Sequence, residues 1–335
     1  MKALKIIQIV LFLLAIFALV AVLVLYITGN FKLSGFVIQE KQILLAEEEI
    51  SLGSISEVKT NLSSANIYVY PSESEQIEVR YFGPESEEKD PKVRIESDNQ
   101  QITITQDFAF SLFQIITTER RVEIYLPSEY QESIDFSCAS GDVKLTGDYT
   151  FENMIISLSS GDVSAEDIET KNTEVRLISG DLNILSLKTD TYLTESRSGE
   201  IRFTELNGNG KINCTSGDIR IENIVSEFDI YAASGDIFLG NLSGQGKINC
   251  ISGDINVEVQ ESLGDLDIST TSGEVTVKLS EDAGYLFEGD CVAGDIRSDF
   301  ALKYNNDNHA SGEVGADNDF ELSIKTTAGD ISLQS

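Results

Sequence analysis

Histidine, tryptophan, proline, methionine and cationic side chains are all scarce in this chain of 335 residues. It has one His, no Trp, 4 Pro, 2 Met and 24 Lys+Arg against 56 Asp+Glu, which gives a formal net charge of −32. The shortage of Lys and Arg excludes a general nucleic-acid binder, because neutralising phosphates requires clustered cations. We expect so acidic a chain to attract metal cations or basic peptides.

Catalytic motifs are also sparse. The single histidine, His309, lies in a polar stretch, and we interpret it as a solvated loop residue. No Gly-x-Ser-x-Gly elbow occurs, so a serine–histidine–acid triad would have to assemble around His309. Carboxylates are abundant, but many recur at one repeated position, which is not typical of a single active site. The sequence therefore predicts that the protein is not an enzyme.

A short phrase that recurs through the chain dominates what is present. Its clearest copies begin at Lys211 and Lys247 and read KINCTSGDIRI and KINCISGDINV. The glycine of its Ser-Gly-Asp triplet recurs at intervals of 18 to 21 residues. These corner glycines are Gly141, Gly161, Gly180, Gly199, Gly217, Gly235, Gly253, Gly273 and Gly294, with a further copy at Gly329. A period in this range predicts a stacked-repeat architecture.

Each copy has the pattern of a strand, a tight corner and a second strand. Ile212 and Cys214 alternate with polar residues before the corner, and Ile219 and Ile221 do so after it, which predicts strands with one buried face. Glycine supplies a positive φ at the corner, where Ser and Asp can bond neighbouring backbone groups. A coil of about 18–20 residues cannot bury its own apolar face, whereas stacked coils can. We therefore predict an all-β fold consisting of a single β-solenoid (β-helix).

The four cysteines share one position in the repeat. Each lies three residues before a corner glycine, which puts them in one inward-facing column: Cys138, Cys214, Cys250 and Cys291. No two are on adjacent coils, and the closest pair is two coils apart, about 9–10 Å at a strand spacing of ~4.8 Å. This separation is beyond disulfide reach. We interpret the cysteines as buried small hydrophobes and not as bridges or metal ligands.

The acidic residue after each corner glycine predicts a second column. Asp218, Asp236 and Asp254 would lie about 4.8 Å apart, where carboxylates repel by roughly 1 kcal/mol in water. Hydrogen bonds within each corner would offset the repulsion, and so would divalent cations such as Ca²⁺, which prefers oxygen ligands. The calcium-binding nonapeptide repeat is absent. No cofactor is predicted, and these three aspartates are the candidate site if Ca²⁺ binds. The same line would hold Asp142, Asp162, Asp181, Glu200, Glu274 and Asp295.

The N-terminus carries the longest apolar run. Residues 6–27 are apolar except for Gln8, and 22 residues make roughly 33 Å of helix, enough to cross a bilayer. A cleaved signal peptide competes with this interpretation, but its apolar core is shorter, about 7–15 residues. Lys2 and Lys5 predict a cytoplasmic N-terminus. We expect a single-pass anchor in the cell membrane, with the rest of the chain, at −32 − 2 = −34, outside the cell.

These signals divide the chain into four parts. Residues 1–28 are the cytoplasmic tip and transmembrane signal anchor, 29–50 a juxtamembrane stalk, 51–137 irregular entry coils, and 138–335 the regular solenoid. A separate small β-domain over 51–130 is the alternative. Residues 301–318 are expected to form a polar excursion, after which the Gly329 copy closes the stack at the C-terminus.

Several segments together resemble a known family. They are the anchor, the Leu62-Ser-Ser-Ala-Asn-Ile67 coil, the Tyr125-Leu-Pro127 step and the serial Ser-Gly-Asp-Ile coils. Over residues 45–335 the chain is similar to the bacterial "putative adhesin" β-solenoid family, whose membrane-anchored members include LiaG-like proteins of envelope-stress operons. The resemblance implies the solenoid fold and carries over no catalytic residue.

We therefore predict a non-catalytic, adhesin-like binding or scaffold module displayed at the bacterial cell envelope. Its partners would be the membrane, through the anchor, and cell-wall polymer, envelope proteins or cationic peptides, but no nucleic acid. Two alternatives stay open. One is an accessory regulatory partner of an envelope-stress system, and the other is a carbohydrate-active enzyme that uses an acidic pair.

Overall fold

The computed structural model describes residues 37–38, 40–106, 115–116, 118–225, 227–260, 264–280, 284–306, 308–315 and 320–335. The predicted transmembrane anchor at 6–27 and the first part of the predicted stalk lie outside these residues. Within the described ranges, no helix has the length and apolar character needed to cross a membrane. The secondary structure in these ranges consists of strands and a single-turn 3₁₀ helix at Glu85–Glu87.

The strands fall into three groups along the chain. The entry region contains β1 Val37–Ile38, β2 Gln42–Ser51, β3 Glu57–Leu62, β4 Asn66–Ser72, β5 Gln76–Pro84, β6 Val93–Ser97, β7 Gln101–Gln106, β8 Ile115–Ile116 and β9 Arg121–Pro127. The middle contains β10 Ser133–Ser140, β11 Val143–Ser160, β12 Val163–Leu177, β13 Leu182–Ser196, β14 Ile201–Cys214, β15 Ile219–Val225, β16 Glu227–Ser234, β17 Ile237–Leu242, β18 Gln245–Ser252, β19 Ile255–Val259, β20 Leu266–Ser272 and β21 Val275–Lys278. The last group contains β22 Tyr285–Ala293, β23 Ile296–Ser298, β24 Lys303–Asn306, β25 His309–Val314, β26 Phe320–Ala328 and β27 Ile331–Gln334.

The middle strands stack in parallel with the register that the repeat predicts. Ile212 pairs with Ile230, Ile230 with Ile248, and Ile248 with Ile268, so identical side chains lie on top of one another. The inward residues on both sides of each corner join a single core that runs from Ile55 to Leu333. Each coil therefore buries its apolar face against its neighbours, and the all-β solenoid prediction is confirmed.

At the N-terminal end, the spatial order of the coils differs from their order in the chain. The coil formed by β3 and β4 lies between β10–β11 on one side and the later strands β7 and β9 on the other. Strands β6 and β5 then pair antiparallel with β7 and β9, and β2 pairs antiparallel with β5. Residues 42–50, which the sequence assigned to the stalk, therefore belong to the sheet.

At the C-terminal end, the spatial order of the coils again differs from their order in the chain, which corrects the prediction that the Gly329 copy closes the stack. Strands β26 and β27 lie between β20–β21 and β22–β23, so the final segment of the chain forms the penultimate coil. The hairpin β24–β25, within the predicted polar excursion, pairs antiparallel with β22. Inserting the last coil gives both of its edges hydrogen-bond partners, and the hairpin covers the outermost strand before the corner.

Candidate functional site

The corner glycines form a close-packed column. All ten predicted positions have φ between +124° and +156°, a region that L side chains rarely adopt. The Gly217 N–H donates to the Ser234 carbonyl of the next coil at 3.0 Å. A Cβ on Gly235 would lie 2.6 Å from the carbonyl carbon of Gly217. Successive corners are therefore too close to admit any side chain at this position.

The corner aspartates are held by the next coil and not by their own corner, which corrects the expectation of bonds within the corner. Asp236 N–H donates to Asp218 Oδ1, and Asp254 N–H donates to Asp236 Oδ1, both at 2.9 Å. At the start of the column the Asn66 amide oxygen accepts the Asp142 N–H in the same way, also at 2.9 Å. Because a neutral amide fills the same role, the ladder requires an oxygen acceptor and not a charge.

The order of the acidic column also follows the inserted coil. Asp295 N–H donates to Asp330 Oδ1 at 3.0 Å, so Asp330 lies between Glu274 and Asp295 in the line. In the part of the chain that the structure describes, no three His, Cys, Asp or Glu side chains are grouped so that they could hold a metal ion. Cation binding at Asp218, Asp236 and Asp254 stays a prediction.

The four cysteines are free and buried in one inward column, as the repeat predicts. Ala232 separates Cys214 from Cys250 in register. The thiol of Cys214 donates to the Gly217 carbonyl at 3.4 Å, and that of Cys291 to the Gly294 carbonyl at 3.1 Å. Burial raises the pKa of all four thiols, which makes them poor nucleophiles at neutral pH.

His309 is not the solvated loop residue that the sequence predicts. It begins β25, opposite Asp290 of β22, and its Nδ1 lies 2.6 Å from Asp290 Oδ1. The side chain is partly buried because the hairpin packs back on the last coil. This contact ties the hairpin to the solenoid, and the pair lies on the outer side of the sheet.

A buried ion pair near the N-terminal end escaped the sequence analysis. The Glu87 carboxylate is 5% exposed and accepts the Arg120 guanidinium at 2.6 Å and the Tyr81 hydroxyl at 2.6 Å. Burial, together with the neighbouring carboxylate, raises the pKa of Tyr81. The sequence gives no signal for this cluster, because its members belong to β5, the 3₁₀ turn and the segment before β9, which meet through antiparallel pairing.

The outer surface of the strands before the corner carries a face that the sequence analysis also missed. It spans four coils in three columns, which we call the neutral face. The column nearest the corner is Thr215, Ala233, Ile251 and Thr271. The middle column, aligned by the strand register, is Asn213, Tyr231, Asn249 and Ser269. The column farthest from the corner is Lys211, Asp229, Lys247 and Asp267.

The charges of the neutral face cancel. Lys211 forms an ion pair with Asp229 at 2.8 Å, and Lys247 lies in register between Asp229 and Asp267. Two lysines and two aspartates give a net charge of zero on a chain whose net charge is −32. The outward residues after the corner in the same four coils carry six acids and two bases, hence −6 + 2 = −4, namely Asp218, Arg220, Glu222, Asp236, Asp254, Glu258, Glu274 and Lys278.

Two shallow depressions lie end to end along this side of the solenoid. The first, of about 500 Å³, reaches from Ser157 to Thr215 and is bordered by the Arg176–Glu195 ion pair. The second, of about 560 Å³, begins at Tyr231 and reaches Val292 on the last coil. The second depression therefore lies largely on the neutral face, and the first ends at Asn213 and Thr215 on its first coil.

Comparison with known proteins bears on the fold. A family model described as Toastrack DUF4097 matches residues 55–227 and 209–334. No curated protein matches the chain. Among solved structures, a putative adhesin from Bacteroides fragilis NCTC 9343 is similar at 13% identity and a TM-score of 0.41, covering 88% of this chain and 99% of that one.

Two proteins from Parabacteroides distasonis ATCC 8503 show a comparable similarity. One is a putative adhesin, at 12% identity and a TM-score of 0.43, and the alignment covers 88% of this chain and 99% of that one. The other is a putative lipid binding protein, at 14% identity and a TM-score of 0.43, with the same coverage. The family match confirms the family resemblance found in the sequence. Because the two matches of the family model together cover residues 55–334, this chain belongs to the Toastrack DUF4097 family.

Proposed function

We propose that the chain is a non-catalytic binding module displayed on the outside of a bacterial cell and held there by residues 6–27. The observation that supports this function best is the neutral face, a shallow surface of outward side chains aligned in register on four coils. Such a surface offers weak contacts on successive coils at a constant spacing of ~4.8 Å. It suits the binding of an extended ligand along the solenoid better than chemistry at one point.

The position of the neutral face supports display away from the membrane. The segment after the apolar run enters the fold at its N-terminal end, where β2 pairs with β5. In the stack, β14 lies six strand spacings beyond β7, roughly 29 Å farther from that end. With the solenoid axis directed away from the membrane, which is part of this proposal, a ligand on the neutral face would lie clear of the lipid headgroups and within reach of envelope material.

The orientation is tested with epitope tags on intact cells. A tag placed after Ser335 is expected to be detected without permeabilisation, and a tag placed before Met1 only after it. A tagged chain without residues 6–27 serves as the control, since it is expected to leave the membrane fraction. Detection of the N-terminal tag alone on intact cells would contradict the proposed orientation.

Binding is tested by incubating the full chain with isolated wall and membrane fractions. Replacing Thr215 and Thr271 with Asp places two charges on the neutral face and is expected to abolish retention. Asn256→Asp combined with Thr276→Asp adds two charges to the face after the corner and is expected to leave retention unaltered. Retention of membrane proteins alone, equal in all variants, would refute wall binding and favour the regulatory alternative.

A further inference from the structure

We infer that the neutral face binds an uncharged glycan, with the ring of Tyr231 stacked on a sugar and the amides of Asn213 and Asn249 bonding to hydroxyl groups on either side. This inference rests on the proposed function and names its ligand. It comes from three properties of the face: its charge, the chemistry of its middle column, and its shape.

Charge selects the class of ligand. An anionic polymer would approach a chain of net charge −32 against long-range repulsion. A cationic peptide would favour the side after the corner, where the same four coils carry a net −4 that includes the carboxylates of the aspartate ladder. The neutral face gives neither polymer an advantage, because its lysines and aspartates compensate one another. An uncharged polar ligand is the class that this surface fits.

The middle column has the chemistry that sugars require. Tyr231 is 38% exposed, so part of its ring faces solvent, and in register it lies between Asn213 and Asn249. A tyrosine ring presents an apolar face to the C–H groups of a sugar and keeps a polar hydroxyl at its edge. An asparagine amide can both donate and accept hydrogen bonds, as a sugar hydroxyl does.

The amide of Asn249 is pre-oriented for this role. The Ser269 hydroxyl donates to Asn249 Oδ1 at 2.6 Å, which fixes the amide plane from the next coil. Its NH₂ group then has no need to reorient before it donates to a ligand, and a fixed side chain loses less entropy on binding. Ile251, 47% exposed beside this amide, adds apolar contact area at the same level of the stack.

The shape of the surface sets the direction in which the bound polymer would run. The first depression ends at Asn213 and the second begins at Tyr231, which pairs with Asn213 on the next coil, so the two are aligned along the solenoid axis. A polymer lying along this axis crosses one coil every ~4.8 Å and meets hydrogen-bonding side chains on each. The inferred ligand is therefore an extended neutral glycan parallel to the axis and not a single monosaccharide.

The experiment titrates the full chain, in a detergent without a sugar headgroup, with chitohexaose, cellohexaose, hexalysine and polygalacturonate. Because the chain contains 11 tyrosines, their emission would not single out Tyr231, and binding by every variant is measured by isothermal titration calorimetry. We expect a neutral hexasaccharide to bind with little dependence on salt. Tyr231→Ala should weaken binding about tenfold or more, as truncation of a central aromatic contact does. Tyr231→Phe should retain most of it, and Tyr68→Ala, an outward tyrosine at the N-terminal end, serves as the matched control.

The outcomes separate this inference from the proposed function. If wall material is retained but neither neutral hexasaccharide binds, or if Tyr231→Ala binds as tightly as the unaltered chain, the glycan assignment is overturned while the binding function stands. Preference for hexalysine or polygalacturonate would overturn it as well. If the unaltered chain retains no envelope material, the proposed function fails, whatever the hexasaccharides do.

Discussion

The close approach of successive corners makes a sharp prediction for Gly235→Ala. Gly235 has φ +126°, and an alanine held there would carry backbone strain of roughly 1–3 kcal/mol. Its Cβ would also lie 2.6 Å from the carbonyl carbon of Gly217, closer still to its oxygen, and 3.1 Å from Asp218 Oδ1. The first two of these atoms are backbone, so they cannot rotate away.

Relieving that overlap requires the two coils to separate at the corner. Two backbone hydrogen bonds span this place, from Gly217 N to Ser234 O at 3.0 Å and from Ile219 N to Asp236 O at 2.9 Å. Weakening them costs about 1–3 kcal/mol. Together with the strain, we expect the free energy of unfolding to fall by about 2–6 kcal/mol.

The assay is urea unfolding followed by circular dichroism, with hydrogen exchange at Ile219 and Ile237 to locate the loosened corner. Ser234→Ala is the matched control, because the coils ending at Gly294 and Gly329 naturally have alanine at that position. It should change stability by no more than about 0.5 kcal/mol. A Gly235→Ala variant within the same margin of the unaltered chain would refute the close-packed corner.

Three further predictions follow from the other clusters. Asp236→Asn should leave the urea midpoint nearly unchanged, since the amide oxygen still accepts the N–H of the next coil, whereas Asp236→Ala should lower the free energy of unfolding by about 1 kcal/mol. Equal losses in the two variants would refute the ladder. A calcium-dependent thermal shift that is lost in Asp236→Asn would show cation binding. Glu87→Gln should destabilise the N-terminal end by about 2–4 kcal/mol, because it removes the charge that compensates the partly buried guanidinium of Arg120. A fall below about 1 kcal/mol in urea titration would contradict this. The four buried thiols have raised pKa values. Their contribution to stability is therefore complete below about pH 8.5, the ordinary pKa of a thiol, and is lost as the pH rises through the pKa values of the folded state. Replacing the cysteines with alanine should reduce the loss of stability between about pH 8 and 10, and thiols that react with a disulfide reagent faster than the protein unfolds would show that they are not buried.

Several features could be predicted because they depend on local spacing alone. A glycine every 18 to 21 residues, flanked by alternating aliphatic side chains, predicts parallel coils with inward Cys214 and outward Asn213. In a parallel stack each residue lies above its counterpart one period earlier, so the period determines the register. The columns of glycine, cysteine and aspartate followed directly from this rule.

The rule could not predict what depends on the order of the coils in space. The coil ending at Gly329 lies inside the stack because pairing on both edges stabilises it, and no local pattern in residues 320–335 records that choice. His309 meets Asp290, and Glu87 meets Arg120, through antiparallel pairings between segments without a shared period.

The sequence by itself determined that the chain is a β-solenoid of glycine-cornered coils, because burial of alternating side chains and the steric limit at each corner act over a single repeat. The pairing of Lys211 with Asp229 on the neutral face follows from the same period. Only the tertiary structure decided which coils form the ends and which ion pairs join segments without a shared period. Those outcomes depend on residues that are distant in the chain and become neighbours once the coils have stacked.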